Sequence, residues 1–144
     1  MIRHDGMKLR ERIDMEQVLS AGSQFYYCTE CGSLILNTRS IREKKYCCGK
    51  LMVTGRKIPH TGDPEVHQPV VFRHDGEILV TAGEQTHEML PDHYIRFIAL
   101  ESASGIRFVW FKPGDDPVVK YLPGEQVIRI YAYCVKHGLW VTEI

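Results

Sequence analysis

Four of the five cysteines in this 144-residue chain lie between Cys28 and Cys48. Cys28 and Cys31 form a CxxC turn, whereas Cys47 and Cys48 are adjacent, and a glycine follows each pair. In a reducing compartment such clusters bind metal more readily than they form disulfides. Four thiolates in a tetrahedron suit iron or zinc. The spacing therefore predicts a four-cysteine metal site, and it leaves open whether the metal is a redox-active iron or a zinc with a structural role only.

A second group of candidate ligands combines four histidines with the fifth cysteine: His67, His87, His93, Cys134 and His137. A single histidine is a weak signal, because most histidines lie at the surface or in hydrogen bonds. Cys134-x-x-His137 is stronger, because it brings a thiolate and an imidazole together at the end of a predicted strand. His87 and His93 are separated by Pro91 and belong to a loop, not to a helical HExxH motif.

The elements that must position these residues are mostly short strands. Repeated runs of apolar and aromatic residues follow position 65 and are separated by Gly and Pro turn signals, which is typical of a β-sandwich. The predicted strands cover 70–72, 78–80, 94–100, 106–111, 127–133 and 139–143, and short strands are also expected at 34–36 and 51–53. His67 is expected to begin the first strand of the sandwich.

The sequence also predicts how the chain is divided. We expect a polar N-terminal extension at 1–24 with a weak helical stripe, a cysteine unit at 25–57, a breaker-rich linker at 58–64 and the β-sandwich at 65–144. The cysteine unit is too small to hold a stable core unaided, so a bound metal is expected to stabilise it.

Composition excludes several classes of partner. The chain has 18 Lys+Arg and 18 Asp+Glu, so its net charge is zero, which argues against binding to nucleic acid or to an anionic membrane. No apolar run approaches the ~18–20 residues that span a bilayer. The first residues also lack the apolar stretch of a secretory signal. We therefore expect a cytoplasmic protein.

Two known families share these motifs. Tyr27-Cys28-Thr29-Glu30-Cys31-Gly32 followed by Cys47-Cys48-Gly49 resembles desulforedoxin, whose site holds one iron in distorted tetrahedral sulfur coordination. Zinc ribbons and rubredoxins use two CxxC turns, so the adjacent pair favours iron here, with zinc as the alternative. The second half resembles superoxide reductase through His67-Gln68-Pro69, the run from His87 to Ile95, Phe111-Lys112-Pro113-Gly114 and Cys134-Val135-Lys136-His137-Gly138.

Together these motifs resemble a two-iron desulfoferrodoxin-type superoxide reductase over residues 25–144. The resemblance implies a desulforedoxin-like metal knuckle followed by an immunoglobulin-like antiparallel β-sandwich. It also implies four equatorial histidine ligands, an axial thiolate and an open sixth position on the catalytic iron. By position, the equatorial ligands are His67, His87, His93 and His137, and the axial ligand is Cys134.

Such a ligand set is chemically consistent. Five protein ligands exceed what tetrahedral zinc takes, and iron with a free position can bind a small oxygen species. A thiolate opposite that position donates electron density towards it. By the resemblance, Glu65 is the residue that closes onto ferric iron. The usual lysine beside it, which attracts superoxide, is Val66 here, and the candidates to replace it are Arg56, Lys57, His60 and Lys112. His4 and His60 match no family ligand, and His74 is expected to be exposed in a hairpin turn.

The implied function is one-electron reduction of superoxide to hydrogen peroxide at the non-haem ferrous centre. Re-reduction would come from a small carrier of the rubredoxin type, and the protein would be a homodimer. Two other interpretations stay open: a non-catalytic electron-transfer or structural metal-binding protein, and a zinc-ribbon interaction module fused to an adhesion-type sandwich. The second leaves the four histidines and Cys134 without a purpose. The four-cysteine metal is either an electron relay or a structural element.

Overall fold

The computed structural model describes residues 25–37 and 43–144, so the predicted extension at 1–24, including His4, lies outside the described residues. The chain divides into two units, Met1–Ile58 and Pro59–Ile144. In the described part of the chain, no helix is long and apolar enough to cross a bilayer.

The first unit consists of very short strands around a small core. Its strands are β1 (Phe25–Tyr27), β2 (Leu34–Leu36), β3 (Tyr46–Cys47), β4 (Lys50–Leu51) and β5 (Val53–Thr54). They form one sheet in the order β2-β1-β5 and a separate β3-β4 hairpin, and a 3₁₀ turn follows at Gly55–Lys57. The prediction of one continuous strand at 51–53 was wrong. The chain forms two strands, β4 and β5, separated by Met52, whose side chain packs in the core with Tyr26 and Cys28.

The second unit is an antiparallel β-sandwich, as predicted. A short helix, α1 (Pro64–His67), precedes its seven strands. These are β6 (Val70–His74), β7 (Glu77–Thr81), β8 (Ile95–Ser102), β9 (Gly105–Trp110), β10 (Val118–Tyr121), β11 (Arg129–Cys134) and β12 (Gly138–Glu143). One sheet has the order β12-β11-β8-β9 and the other β10-β7-β6. Alternate residues of the two sheets form the core, which includes Val80, Ile98, Ile130 and Cys134.

The prediction that His67 begins a strand was wrong: His67 ends helix α1, and β6 begins at Val70. The Asp63 side chain caps the helix by accepting a hydrogen bond from the backbone N–H of Glu65 (2.9 Å), and Pro64 occupies the first turn. Helix α1 therefore turns the His67 side chain into the interior, where it is 2% exposed.

Candidate metal centres

The four histidines of the second unit form a square of imidazole rings. Going round the square, ring centroids are separated by 4.7 Å (His67–His87), 4.6 Å (His87–His93), 4.8 Å (His93–His137) and 4.7 Å (His137–His67). The His67–His93 diagonal is longer, at 6.0 Å. Neighbouring rings meet nearly edge to face, at 67–81°. This is the arrangement that four equatorial ligands of one metal would take.

The ring nitrogens are spaced for a metal. The Nε2 atom of His67 lies 3.1 Å from His87 Nε2 and 3.1 Å from His137 Nδ1. Metal–nitrogen bonds of ~2.0–2.1 Å place neighbouring equatorial nitrogens about 2.9 Å apart. The Nε2 atom of His93 is buried and has no hydrogen-bond partner among the described residues. The cluster therefore fits an ion held at the centre of the square.

Hydrogen bonds to the other ring nitrogens fix which nitrogen faces the centre. His67 Nδ1 donates to the backbone carbonyl of Asp63 (2.8 Å), and His87 Nδ1 donates to the carbonyl of Glu88. His93 Nδ1 donates to the Glu88 carboxylate at 2.7 Å. Each of these bonds leaves an Nε2 lone pair directed inward, as metal-binding histidines require. His137 differs, because it is Nδ1 that faces His67.

Cys134 provides a buried sulfur beside the square. Its Sγ lies 3.7 Å from His137 Nδ1, and the ligand atoms of His67, His93, Cys134 and His137 all lie within 4.8 Å of one another. Cys134 ends β11 at a bulge, where the pairing with β8 shifts from Tyr133↔Phe97 to Cys134↔Ile95. Bulges of this kind re-aim side chains next to functional sites.

Backbone contacts hold the turn that carries His137. The N–H of Thr61 donates to the His137 carbonyl (2.8 Å), and the N–H of Leu139 donates to the Pro59 carbonyl (3.1 Å). Gly138 has φ +92°, and a Cβ there would clash with the Pro59 carbonyl oxygen. Glycine is the residue that readily adopts this positive φ and has no Cβ to clash. The segment that precedes α1 can therefore lie directly on the Cys134–Gly138 turn.

Burial acts in opposite directions on the two ligand types. It lowers the pKa of His87 to about 4 and lowers the pKa values of His67 and His137, so these rings stay neutral and keep a lone pair for a metal. Burial raises the pKa of the Cys134 thiol, while backbone N–H groups of Lys136 and His137 oppose this by hydrogen bonding to the sulfur. A cation in the square would supply the remaining stabilisation of the thiolate.

Other residues that the sequence singled out lie around this cluster or apart from it. The Glu65 side chain is exposed and accepts a hydrogen bond from Gln85 Nε2 (2.7 Å). Val66, at the position of the usual lysine, is half-buried. Lys112 is 78% exposed and ion-paired with Asp115 (3.2 Å). His74 is 75% exposed, as predicted.

The remaining candidates to replace the lysine lie in different units. His60 belongs to the second unit, where its ring lies 5.1 Å from that of Trp140, edge to face. Lys57 and Arg56 belong to the first unit. Of these three residues, His60 is the one that belongs to the same unit as the histidine cluster.

The four cysteines of the first unit also converge. The Sγ atoms of Cys28, Cys31, Cys47 and Cys48 all lie within 4.8 Å of one another, and none forms a disulfide. Cys31 and Cys47 are 3.7 Å apart, and Cys47 and Cys48 are 3.9 Å apart. Metal–sulfur bonds of ~2.3 Å place the sulfurs of a tetrahedron about 3.8 Å apart. Cys48 adopts φ +54°, which allows two adjacent cysteines to face one point.

The thiols of this cluster hold their protons unequally. The Ser33 hydroxyl and backbone lower the pKa of Cys31 to about 6. The crowded thiols of Cys28 and Cys31 raise the pKa of Cys47 to about 12. All four sulfurs therefore cannot be thiolates together at neutral pH unless a cation offsets their charges. The cluster fits a metal with four sulfur ligands.

Two residues of the histidine site were not identified from the sequence. Glu88 hydrogen-bonds two imidazoles, and its only sequence signal is its place directly after His87 and five residues before His93. Trp140 stacks on His67 with an interplanar angle of 14° and a centroid separation of 5.5 Å. Alternation along β12 places Trp140 on the inner face, but the stacking requires a tertiary structure.

Similarity to known proteins extends over both units. Residues 57–143 match the family Desulfoferrodoxin. The chain is 28% identical over 120 residues to the desulfoferrodoxin of Syntrophotalea carbinolica, covering 83% of this chain and 95% of that protein. It is 29% identical over 121 residues to a desulfoferrodoxin homolog of Methanothermobacter thermautotrophicus, covering 82% and 96%. The crystal structure of the superoxide reductase from Treponema pallidum superposes with a TM-score of 0.63 at 26% identity, covering 86% of this chain and 99% of that one.

Proposed function

Because the chain belongs to the desulfoferrodoxin family, we propose that it is a superoxide reductase that converts superoxide to hydrogen peroxide by one-electron reduction. The observation that carries the proposal is the imidazole square with a buried sulfur beside it. A set of five such ligands exceeds what tetrahedral zinc takes and suits iron. The proposed ligands are His67, His87, His93, His137 and Cys134.

The ligand residues have separate tasks in this proposal. Iron held there would supply the electron and a coordination position that a small oxygen anion can reach. The neutral imidazoles leave the Cys134 thiolate as the single negative charge among the ligands, so an approaching anion meets little repulsion. The N–H groups of Lys136 and His137 stabilise that thiolate.

Attraction of the anion must use a cation other than the usual lysine, because Val66 occupies its position. Lys136 is exposed. Burial is the main cause of the raised pKa of Cys134 and the lowered pKa of His137, and the Lys136 charge makes a smaller contribution to both, opposing the first shift and adding to the second, so its field reaches the site. Lys112 is partly neutralised by Asp115. We propose that Lys136 supplies part of the attraction, which affects the association rate and weakens with salt.

Glu65 is the proposed sixth ligand of the ferric state. To serve as that ligand, the Glu65 carboxylate would have to give up its hydrogen bond to Gln85.

We propose iron at Cys28, Cys31, Cys47 and Cys48, with zinc as the alternative metal. An external one-electron carrier of the rubredoxin type would re-reduce the catalytic iron. The protein would act as a homodimer in the cytoplasm.

Anaerobically purified protein tests the activity directly. Pulsed superoxide should oxidise the ferrous centre and yield one peroxide per superoxide, with no oxygen released. His87→Ala should lose iron from the cluster, because removal of a direct ligand should weaken binding by more than the ~10–100-fold that loss of an outer-shell partner costs. His74→Ala, which alters an exposed hairpin histidine, should change nothing. A ferrous centre that ignores both superoxide and azide would instead indicate a non-catalytic electron-transfer or structural metal protein.

A further inference from the structure

Glu88 holds two of the four imidazoles through different groups. Its backbone carbonyl accepts the Nδ1–H of His87, and its carboxylate accepts the Nδ1–H of His93 at 2.7 Å. The carbonyl contact depends only on the backbone, so any residue at this position could make it. The carboxylate contact depends on the side chain, and it is therefore specific to glutamate here.

The carboxylate determines the state of His93. A neutral imidazole that donates from Nδ1 keeps its lone pair on Nε2. The Nε2 atom of His93 is buried and has no hydrogen-bond partner among the described residues, so it can bind only a group at the centre of the square. Without the Glu88 carboxylate, the proton could move to Nε2, and the ring would then turn away from the metal.

The charge of Glu88 distinguishes His93 from the neighbouring ligands. His67 and His87 donate to neutral backbone carbonyls, of Asp63 and Glu88 respectively. In the described part of the chain, His93 is the one proposed histidine ligand whose hydrogen-bond acceptor is a carboxylate, that of Glu88. A carboxylate behind a ligating imidazole makes the ring a more basic ligand, and a more basic ligand favours the higher charge of ferric iron.

We propose that Glu88 is a positioning residue that orients His93 and, through its negative charge, lowers the reduction potential of the iron. This inference rests on the proposed function, because it requires iron in the square. The Glu88 side chain is 52% exposed and that of His93 is 17% exposed. The effect of the charge is therefore moderate and screened by salt.

Three variants separate orientation from charge. Glu88→Gln keeps an oxygen that accepts from His93 but removes the charge, and Glu88→Ala removes both. Glu84→Gln is the matched control, because Glu84 is exposed in the same loop and has no hydrogen bond to a histidine in the described part of the chain. The midpoint potential is measured by spectroelectrochemistry at low ionic strength, and the ferrous affinity by competition with a chelator.

Glu88→Gln should favour ferrous over ferric iron by up to about tenfold, which corresponds to a rise of about 59 mV for a one-electron couple. Its ferrous affinity should stay within about threefold of the wild type, whereas that of Glu88→Ala should fall about 10–100-fold. Raising the salt concentration should shrink the difference in potential. Glu84→Gln should match the wild type in both measurements. An unchanged potential in Glu88→Gln, or an equal rise in Glu84→Gln, would overturn the role of the charge.

A measurement without iron keeps this inference separate from the proposed function. In metal-free protein above neutral pH, ¹⁵N shifts of His93 should report a proton on Nδ1 in the wild type and in Glu88→Gln. Glu88→Ala should give a mixture of tautomers. If the wild type bound no iron at the square, the proposed function would fail, whereas an unaltered tautomer in Glu88→Ala would refute the positioning role alone.

Discussion

At the scale of single residues, the histidine site depends on burial that keeps its rings neutral. His87 is 3% exposed, and burial lowers its pKa to about 4. An unfolded chain takes up this proton near the ordinary histidine pKa of about 6.5. Without metal, the folded state therefore binds fewer protons than the unfolded state between these two values, and it loses stability as the pH falls through them.

The first prediction follows for metal-free protein. The free energy of unfolding should be about 2 kcal/mol lower at pH 5 than at pH 7.5 from His87 alone, and His87→Gln should remove that part of the difference. Urea unfolding followed by tryptophan fluorescence measures it, because Trp110 and Trp140 are the only tryptophans in the sequence and both lie in the second unit. The same pH dependence in wild type and variant would contradict the assignment.

At the scale of elements, helix α1 and the loop before His87 are fixed to each other. The backbone N–H of Gln85 donates to the Glu65 carbonyl (2.9 Å), and the Gln85 side chain binds the Glu65 carboxylate. A Cβ on Gly83 would clash with the backbone of Glu65 and Val66. Each of these two elements ends in a histidine of the square, so this close packing sets the His67–His87 distance.

The second prediction tests that packing. Gly83→Ala should push the loop away from helix α1, cost about 1–3 kcal/mol of stability and weaken iron binding at the histidine site. Gly124→Ala is the control, because nothing lies within 4 Å of a Cβ at that position, and it should change stability by less than about 0.5 kcal/mol. Denaturant unfolding and chelator competition measure the two effects. Iron affinity equal in both variants would show that the loop does not position His87.

A buried charge cluster bridges strands β8 and β11. Glu101 accepts hydrogen bonds from Arg129 Nη1 (3.1 Å) and from the Tyr131 hydroxyl (2.8 Å), and the Arg129 and Glu101 side chains are both 1% exposed. Burial first, and then the charge of Glu101, raises the pKa of Tyr131, so its hydroxyl remains a donor. Removal of the Glu101 charge would leave Arg129 buried without a counter-charge from this residue.

The third prediction compares this cluster with a surface ion pair. Glu101→Gln should lower the free energy of unfolding by about 3–5 kcal/mol. Glu77→Gln breaks the exposed Lys120–Glu77 pair (2.6 Å) and should cost less than about 1 kcal/mol. Thermal unfolding of the iron-loaded protein at neutral pH measures both. A loss below 1 kcal/mol for Glu101→Gln would show that other groups compensate Arg129.

At the scale of the whole molecule, the sequence predicted that the second unit is a β-sandwich and that the candidate ligands lie together. It predicted the local geometry around those ligands less fully. Strands such as β8 and β11 were predictable because they are nearly continuous runs of apolar and aromatic residues, as expected of central strands buried in a sandwich. Helix α1 was not predicted, since its four residues are too few for a helical period, although Asp63-Pro64 carries a capping signal. The role of Glu88 depends on contacts across a loop that spacing cannot give.

The two candidate metal sites share no ligand, and their units differ in the size of the hydrophobic core around them. The first unit has few buried hydrophobic residues among those the structure describes: Phe25, Tyr26, Cys28, Met52 and Ile58. Tyr26, Cys28 and Met52 pack together, with Cys47 against them. The core of the second unit extends through both sheets of the sandwich. A core as small as the first rarely provides a stable fold by itself, so metal binding and folding are expected to be coupled there.

The fourth prediction concerns Cys47→Ser, which removes one of the four sulfurs and leaves the histidine site intact. Because the first unit has so little core, this variant should lose its metal and become sensitive to proteases between residues 25 and 57. The second unit should retain its iron, and superoxide should oxidise that iron at a rate within about threefold of the wild type, since none of its ligands has changed.

Wild-type protein loaded with zinc at the four cysteines is the control, because zinc supports the fold of the first unit without redox chemistry. The zinc-loaded protein should keep the superoxide reaction as well. If both Cys47→Ser and the zinc-loaded protein lost it, the four-cysteine metal would take part in that half-reaction, and a purely structural role would be excluded.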